Sequence, residues 1–305
     1  MKTAVVIATY NPLKWIEKCL DSLIQSTISV EILIIDNNST DGFQEILKSK
    51  YPQIMFVQSS SNLGFGAANN IGIRKAYNND ADFVFLLNQD AWVQPDTIEK
   101  LISAQQKQPE YGIISPMHLN GKGDELDYNF SNYIIPYQCK KLYSDIYLNK
   151  IQPNVYQVSF VNAAGWLLSR KCIELVGGFN PSFFHYGEDD NYVERVHFHG
   201  MKVGILAITE LFHDRDEVNK SVYFHDSQLI YKRKILLKAS NPFNQFSFEL
   251  ENKKLYKFAA RALLSFRFKL FLKIKVQIQI LNSLDKKGII SRRNESRNSN
   301  LSFLN

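Results

Sequence analysis

Asn88-Gln89-Asp90 sets a carboxamide and a carboxylate two residues apart, directly after the apolar run Phe83–Leu87. Side chains at i and i+2 of an extended segment point the same way. One oxygen can then meet a hard divalent cation and the other a sugar or ribose hydroxyl. Taken alone, the tripeptide equally suits a polar turn that ends a strand. Glu188-Asp189-Asp190 crowds three carboxylates that repel one another unless a cation, an arginine or a proton-transfer role compensates. Arg195, about two helical turns further on, is expected to hold one of them. A carboxylate whose pKa is lifted by partial burial can act as a general base. Capping of a solvated helix start is the competing explanation. His213 follows the apolar run Val203–Ile208. A neutral imidazole there would complete a metal site with Asp90, a mixed nitrogen and oxygen set that manganese tolerates. A satisfied structural histidine fits the same position. His118, His185, His197, His199 and His225 have no spacing that singles them out.

These side chains need a scaffold that gathers them. Over the first 115 residues, β-rich runs alternate with helix-length amphipathic ones, the pattern of a mostly parallel sheet covered by helices. Strands are expected at Val5–Thr9, Glu31–Asp36, Ile54–Val57 and Phe83–Leu87, with helices at about Leu13–Gln25, Gly42–Lys48 and Gly66–Tyr77. Ser39-Thr40-Asp41 offers N-cap oxygens to the second helix. Each strand runs into a polar cluster, and in an open α/β sheet the ligand crevice lies beyond the carboxyl ends of the strands. The glycines of Asn62-Leu63-Gly64-Phe65-Gly66 precede a helix and could bring N–H groups to a diphosphate. The chain has neither a Walker loop nor a dinucleotide fingerprint, which weighs against an ATPase and an NAD enzyme. Residues 116 to 160 read as a variable insertion. Val158–Ser169 restores order, followed by a short helix, the turn Gly177-Gly178-Phe179 and a helix opening at Gly187-Glu188.

With 305 residues, 45% apolar and 22% charged, the chain can bury a large core. No apolar run approaches the roughly 18 residues that cross a bilayer, and Met1-Lys2-Thr3-Ala4 leads into a strand with no signal-peptide layout. A cytoplasmic protein is expected, with peripheral contact at the inner face of the cell membrane as the reading for its basic tail. Cys19, Cys139 and Cys172 are too far apart for a zinc site and too few for a disulfide scaffold. Residues 1 to 250 carry 23 Lys+Arg against 27 Asp+Glu, and residues 251 to 305 carry 13 against 3. The net charge of +6 is thus a property of the tail.

In order and placement, Val5-Val6-Ile7-Ala8-Thr9-Tyr10-Asn11, Ile34-Ile35-Asp36-Asn37-Asn38-Ser39-Thr40-Asp41-Gly42, Asn62 through Gly72, and Leu87-Asn88-Gln89-Asp90 resemble glycosyltransferase family 2, in particular its bacterial rhamnosyltransferase and galactofuranosyltransferase branch. The likeness spans residues 1 to about 215 and continues through Gly177-Gly178-Phe179, Gly187-Glu188-Asp189 and His213. It implies a GT-A fold: an α/β fold whose central, mostly parallel sheet is flanked by helices. The nucleotide-binding half would be about 1–115 and the acceptor half about 116–215, followed by a helical segment at 216–250 packing on the body and a basic extension at 251–305. By the same likeness, Thr9, Asn11, Asp36 and Asn38 would line the base and ribose pocket, with Asn62 and Asn70 nearby. Asp90 would hold Mn2+ or Mg2+ bridging two phosphates, His213 would be a further metal ligand, and Asp189 the catalytic base with Glu188 beside it. Asn88 stands where many relatives carry the first aspartate of Asp-x-Asp, and its neutral amide attracts a cation less. The implied activity is inverting transfer of a sugar, best guessed as rhamnose from dTDP-rhamnose, to a glycan or lipid-linked glycan acceptor of cell-surface polysaccharide.

Residues 221 to 240, with Tyr223, Tyr231, Lys232, Arg233 and Lys234, read as a helix packed on the body, and Asn252–Leu264 as another. Phe266–Lys269 and Lys273–Ile280 alternate with period two and are expected to form an amphipathic strand. The polar stretch Ser291–Ser302 is expected to fray. Thirteen basic residues suit contact of 251–305 with an anionic membrane, or packing on the body or on a second subunit in a homodimer. Nucleic acid is not an expected partner. Two rival functions are a sugar-nucleotide nucleotidyltransferase, which lacks here the Gly-rich basic loop it needs, and a non-catalytic module that grips membrane or nucleic acid.

Overall fold

The computed structural model describes residues 1–215 and 225–304. The strands β1 (Thr3–Thr9), β2 (Glu31–Asp36), β3 (Met55–Gln58) and β4 (Phe83–Leu87) alternate with the helices α1 (Ile16–Ile24), α2 (Phe43–Lys50) and α3 (Phe65–Asn78). The expected elements are present with shifted ends. The first helix starts later because the turn at Pro12, whose carbonyl accepts from the N–H groups of Trp15 and Ile16, precedes it. Beyond them lie β5 (Ala91–Val93), α4 (Thr97–Lys107), β6 (Tyr111–Asn120), α5 (Tyr128–Ser131), α6 (Leu142–Tyr147), β7 (Val155–Val158), β8 (Gly165–Ser169), α7 (Arg170–Val176), α8 (Glu188–Phe198) and β9 (Lys202–His213).

The nine strands form one sheet in the order β3-β2-β1-β4-β8-β6-β9-β5, with β7 also on β9. Only β3-β2-β1-β4 and the β6–β9 pair are parallel; β8 runs antiparallel to β4 and β6, and β5 and β7 antiparallel to β9. The sheet is therefore mixed: its first half is parallel and its second half combines both orientations. Alternation along β1 sends Val5 and Ile7 to a core shared with α1, α2 and α4, and Ala4 and Val6 to a core shared with α3, α7 and α8. All three cysteines are buried thiols with no partner cysteine.

The C-terminal part is helical: α9 (Ser227–Ser240), α10 (Phe248–Leu264), α11 (Phe268–Ser283) and α12 (Lys286–Glu295). Tyr223 lies outside the described residues. These helices share a core in which Ile235, Leu236, Ala239, Leu255, Ala259, Ile274, Ile278, Leu281 and Ile289 pack with Phe183 of the body. Two expectations fail here. The segment read as a strand is the helix α11, because its buried stripe is Ile274, Ile278 and Leu281, spaced by four and three, and it packs on a helix rather than on a strand edge. The polar end does not fray either: the Gly178 N–H donates to the Ser302 carbonyl at 2.8 Å, and Ser302 and Leu304 are buried against the body.

Candidate active site

The carboxyl ends of β1 and β2 form a tightly bonded pair of loops. Asp36 is fully buried; its Oδ1 accepts from Thr9 Oγ1 at 2.9 Å and from Ser39 Oγ, and its Oδ2 from the Ser39 N–H. Its carboxylate organises the loop from within. Asn11 and Asn38 both take left-handed backbone conformations, with φ of 49° and 64°, which asparagine tolerates better than most residues. Asn11 Oδ1 accepts from the Thr40 N–H, and the Asn11 N–H donates to Ser39 Oγ. Ser39 thus braces the first loop, and Asp41 serves both sides: its Oδ2 accepts from the Leu13 N–H at 2.7 Å and its Oδ1 from the Phe43 N–H at the start of α2 at 3.4 Å.

The loop before α3 departs from its sequence reading. The N–H groups of Leu63 and Gly64 donate to Asn37 Oδ1 and Asn62 Oδ1, so they are engaged within the protein rather than aimed at a diphosphate. Gly64, at φ 83°, is required for close packing: a Cβ there would lie 2.1 Å from the Phe184 carbonyl oxygen. Asn70 also leaves the pocket. Its Oδ1 accepts from the Phe179 N–H at 2.6 Å and its Nδ2 donates to the Phe179 carbonyl at 2.8 Å, clamping α3 to the 177–179 turn.

The ends of β4 and β9 meet although 123 residues separate Asp90 from His213, because β5 pairs antiparallel to β9 with Ala91 opposite His213 and the Asp214 N–H donates to the Asp90 carbonyl at 2.9 Å. His213 Nε2 lies 3.4 Å from Asp90 Oδ1 and 3.4 Å from Asn88 Nδ2. Asn88 Oδ1 is buried with no hydrogen-bond partner among the described residues. His213 Nδ1 lies 3.3 Å from Asp127 Oδ2, and Arg215 Nε stands 3.0 Å from that oxygen and donates to Nδ1 at 3.2 Å. Burial lowers the His213 pKa, but the Asp90 charge and the bonds to Asp127 and Asp90 outweigh it and raise the net value. Burial also works against the Asp127 anion. The His213 bond, the Arg215 charge and the Phe130 N–H win, holding this carboxyl well below its usual range. His118 stacks on Phe130 behind His213, and burial keeps it neutral.

Asn88, Asp90, Glu188, Asp189 and His213 line one hollow of about 600 Å³, with Asn162, Tyr133, His185, Arg215 and Arg233 around them. The three strand and helix ends named from sequence therefore converge. Gly187, at φ 96°, opens α8; a Cβ there would press on the Phe183 ring and on Arg233 Cγ. Burial, then the neighbouring carboxylates, raise the pKa values of Glu188 and Asp189, although main-chain N–H groups at the helix start pull the other way. Burial lifts Asp190 too, opposed by the Arg233 charge. Arg195 does not hold this cluster. It is fully buried and donates to the carbonyls of Val176 and Gly178, because it sits on the face of α8 turned to the core. The cation facing the carboxylates is Arg233, from α9.

Asp127, Arg215 and Arg233 escaped the sequence reading. Asp127 lies in the stretch read as an insertion, and Arg233 reads only as part of a helix packed on the body, with no role in the site. Arg215, two residues after His213, carried the only local signal.

Among the described residues no group of three or more His, Cys, Asp or Glu side chains forms a ready metal cage. Asp90, His213 and the unpartnered Asn88 oxygen nonetheless suit manganese or magnesium, ions that take a few protein donors and complete their shell with water and substrate phosphates.

Comparison with known proteins agrees with the fold. The chain superposes on TarS 1–349 of S. aureus, solved in complex with UDP-GlcNAc, with a TM-score of 0.53 at 14% identity, covering 93% of this chain and 91% of that one. GalNAc-T7 solved with UDP, GalNAc and Mn2+ gives 0.56 at 16% identity, covering 80% and 52%. The architecture is thus GT-A. Among curated proteins, an N-acetylglucosaminyl-diphospho-decaprenol L-rhamnosyltransferase of Mycobacterium tuberculosis is 25% identical over 253 residues, 74% of this chain and 82% of its own length. A low-salt glycan biosynthesis hexosyltransferase of Haloferax volcanii is 25% identical over 190 residues, 61% and 59%. These likenesses set aside the nucleotidyltransferase and the non-catalytic module. Residues 4–174 match the family model described as Glycosyl transferase family 2, and the chain belongs to that family of enzymes, which transfer sugar from a nucleotide sugar.

Proposed function

We propose that the enzyme is an inverting, metal-dependent transferase that moves rhamnose from dTDP-rhamnose to a hydroxyl of a glycan or lipid-linked glycan in cell-surface polysaccharide synthesis. The observation that carries this reading is the convergence of Asp90, His213 and Asp189 on one hollow from three separate elements. Asp189 accepts the proton of the acceptor hydroxyl as that oxygen bonds to the anomeric carbon. The bond from that carbon to the diphosphate breaks on the opposite face, and its electron pair leaves with the nucleoside diphosphate. One displacement with no enzyme nucleophile inverts the anomeric configuration.

Burial of Asp189 supports its role, since a lifted pKa makes it a stronger proton acceptor than an exposed carboxylate. Burial, then the Asp190 charge, raise its basicity, and Glu188 is buried beside it with one oxygen unpartnered among the described residues. Asp90 and His213 Nε2, with Asn88 Oδ1, would hold the divalent cation, and Asp127 fixes the imidazole with Nε2 facing inward. When bound, the cation supplies positive charge against the charge that develops on the departing diphosphate. The loops at Thr9, Asn11, Asp36 and Asn38 would receive the nucleoside through their backbone and the exposed Asn11 and Asn38 side chains. Asp36 would act by holding the loop shape. The choice of rhamnose rests on the likeness to the mycobacterial L-rhamnosyltransferase.

A thermal-shift screen of sugar nucleotides with and without manganese tests the donor and the cation together. Stabilisation by dTDP-rhamnose that requires manganese is expected. Stabilisation by a different donor alone would overturn the sugar, and stabilisation that ignores manganese would overturn the metal.

A further inference from the structure

The helices α10 and α11 form a hairpin closed by Ser265-Phe266-Arg267, with the Arg267 N–H donating to the Ala262 carbonyl at 2.9 Å and Phe266 at φ 54°. At its base the hairpin is ordinary: Leu255, Ala259, Ile274, Ile278 and Leu281 face the helical core. Its tip is not. Leu264 is 81% exposed, Phe266 79%, Phe268 56% and Leu272 58%, with Leu263 and Leu270 also exposed beside them. A single exposed leucine means little, whereas a contiguous group at one end of an element marks an interaction site. The sequence shows why no fold can cover it. Leu263-Leu264-Ser265-Phe266-Arg267-Phe268-Lys269-Leu270-Phe271-Leu272 puts apolar residues all round the hairpin end, and α10 can shield only one side of α11.

The charge around this tip is one-sided. From Leu255 to Leu284 there are six Lys and Arg residues and no Asp or Glu. Arg261, Arg267 and Lys273 line a hollow of about 410 Å³ between the two helices, beside Phe258, Leu270 and Ile274. The acids of α10, Glu249 and Glu251, sit at its other end, where they pair with Lys253 and Lys254. No described helix is long and apolar enough to cross a membrane. An apolar point ringed by cations, on an element that cannot span, matches a surface whose interior is hydrocarbon and whose face is anionic phosphate.

We propose that the α10–α11 hairpin tip docks the enzyme on an anionic lipid bilayer. Leu264, Phe266 and Phe268 enter the acyl boundary, and Arg261, Arg267 and Lys273 hold lipid phosphate groups. A docked enzyme would work at the surface where a lipid-linked acceptor resides. It depends on the catalytic reading only for that consequence, and vesicle binding is measured without sugar transfer, so either can fail alone.

The test is flotation of the full chain with phosphatidylcholine vesicles, with and without roughly a third phosphatidylglycerol. Binding to the anionic vesicles that weakens as salt rises is expected. The triple variant Leu264→Ser, Phe266→Ser, Phe268→Ser should lower the partition about tenfold or more. The variant Arg261→Gln, Arg267→Gln, Lys273→Gln should remove the preference for anionic lipid. Phe266→Trp should give a fluorescence blue shift on the same vesicles. All these changes are at the surface, so unaltered melting temperature and donor binding verify the fold. Wild-type binding by the triple serine variant overturns the proposal, as does absence of any vesicle binding. A dimer that the serine variant dissociates, with vesicle binding unchanged, would assign the tip to a second copy of the chain instead.

Discussion

Replacing Asp127 by Asn tests whether His213 is held for metal binding or merely packed. Asp127 accepts from the Phe130 N–H at 2.9 Å on Oδ1, and its Oδ2 lies 3.0 Å from Arg215 Nε and 3.3 Å from His213 Nδ1, an ion-pair corner in which Arg215 Nε also reaches Nδ1 at 3.2 Å. Asparagine keeps one acceptor, which stays with the Phe130 N–H because that bond caps α5. Its amide N–H groups then face the guanidinium and the imidazole. The imidazole can only accept at Nδ1, which moves its proton to Nε2, the atom turned to Asp90 and Asn88. A protonated Nε2 cannot ligate. Loss of such a supporting carboxylate typically weakens metal affinity 10- to 100-fold, or about 1.4–2.7 kcal/mol. Manganese titration of the variant with a nucleoside diphosphate, read by electron paramagnetic resonance, measures this directly. The melting temperature will also fall, since two charge-assisted bonds are lost, so affinity is compared at a temperature where both proteins are folded. Wild-type manganese affinity in Asp127→Asn would refute the reasoning and leave His213 a structural residue.

Asp189→Asn should retain donor binding and lose transfer by 10²-fold or more; near-normal turnover removes it as the base. In the wild type, the acidic limb of kcat/KM should lie above the ordinary carboxylate range, because the lifted group must lose its proton before it can act; a limb near pH 4 would contradict this. Asp90→Ala and His213→Ala should each flatten the response of nucleotide binding to manganese, and an unchanged titration excludes that residue. Glu194 is pushed to about 7 by burial, and one of its oxygens has no partner. The folded state therefore holds this proton more tightly than the unfolded chain, and stability falls as pH rises from about 4.5 through 7. Glu194→Gln should be the more stable protein at pH 8, by about 1–3 kcal/mol, and indistinguishable below pH 4.5, as denaturant unfolding at the two pH values will tell.

Much of this site was legible because strand ends in an α/β sheet have only one side on which to converge. Asp90 and Asp189 stood out as a carboxylate at a strand end and one in a crowded helix start, places a turn or a cap would also explain, and His213 stood at the end of an apolar run. The supporting residues were not legible. Asp127 matters only because β6 runs beside β9 and brings the start of α5 under His213, a long-range pairing with no local pattern. Asn70 and Arg195 misled for the opposite reason: both types suggest chemistry, yet both serve buried main-chain groups at the 177–179 turn. Period-two alternation in 273–280 misled because it also contains the stripe at 274, 278 and 281, and only the available neighbours decide which is used.

The family match ends at residue 174, yet Glu188, Asp189, His213, Arg215 and Arg233 all come after it. The part of the chain most like other members supplies the loops after β1 and β2 and Asp90. The carboxylate wall comes from α8, and Arg233, which faces it, from α9, outside the sheet altogether. Two walls from separate elements can vary independently. A change on α8 should alter transfer with donor affinity intact, and a change at Asp90 should alter donor affinity first. Holding three carboxylates together in a buried helix start opposes folding, since burial and mutual repulsion both work against their charge. That cost is what the proposed proton transfer by Asp189 would require, and a variant that removes the charge of Asp189 should therefore gain stability as it loses transfer.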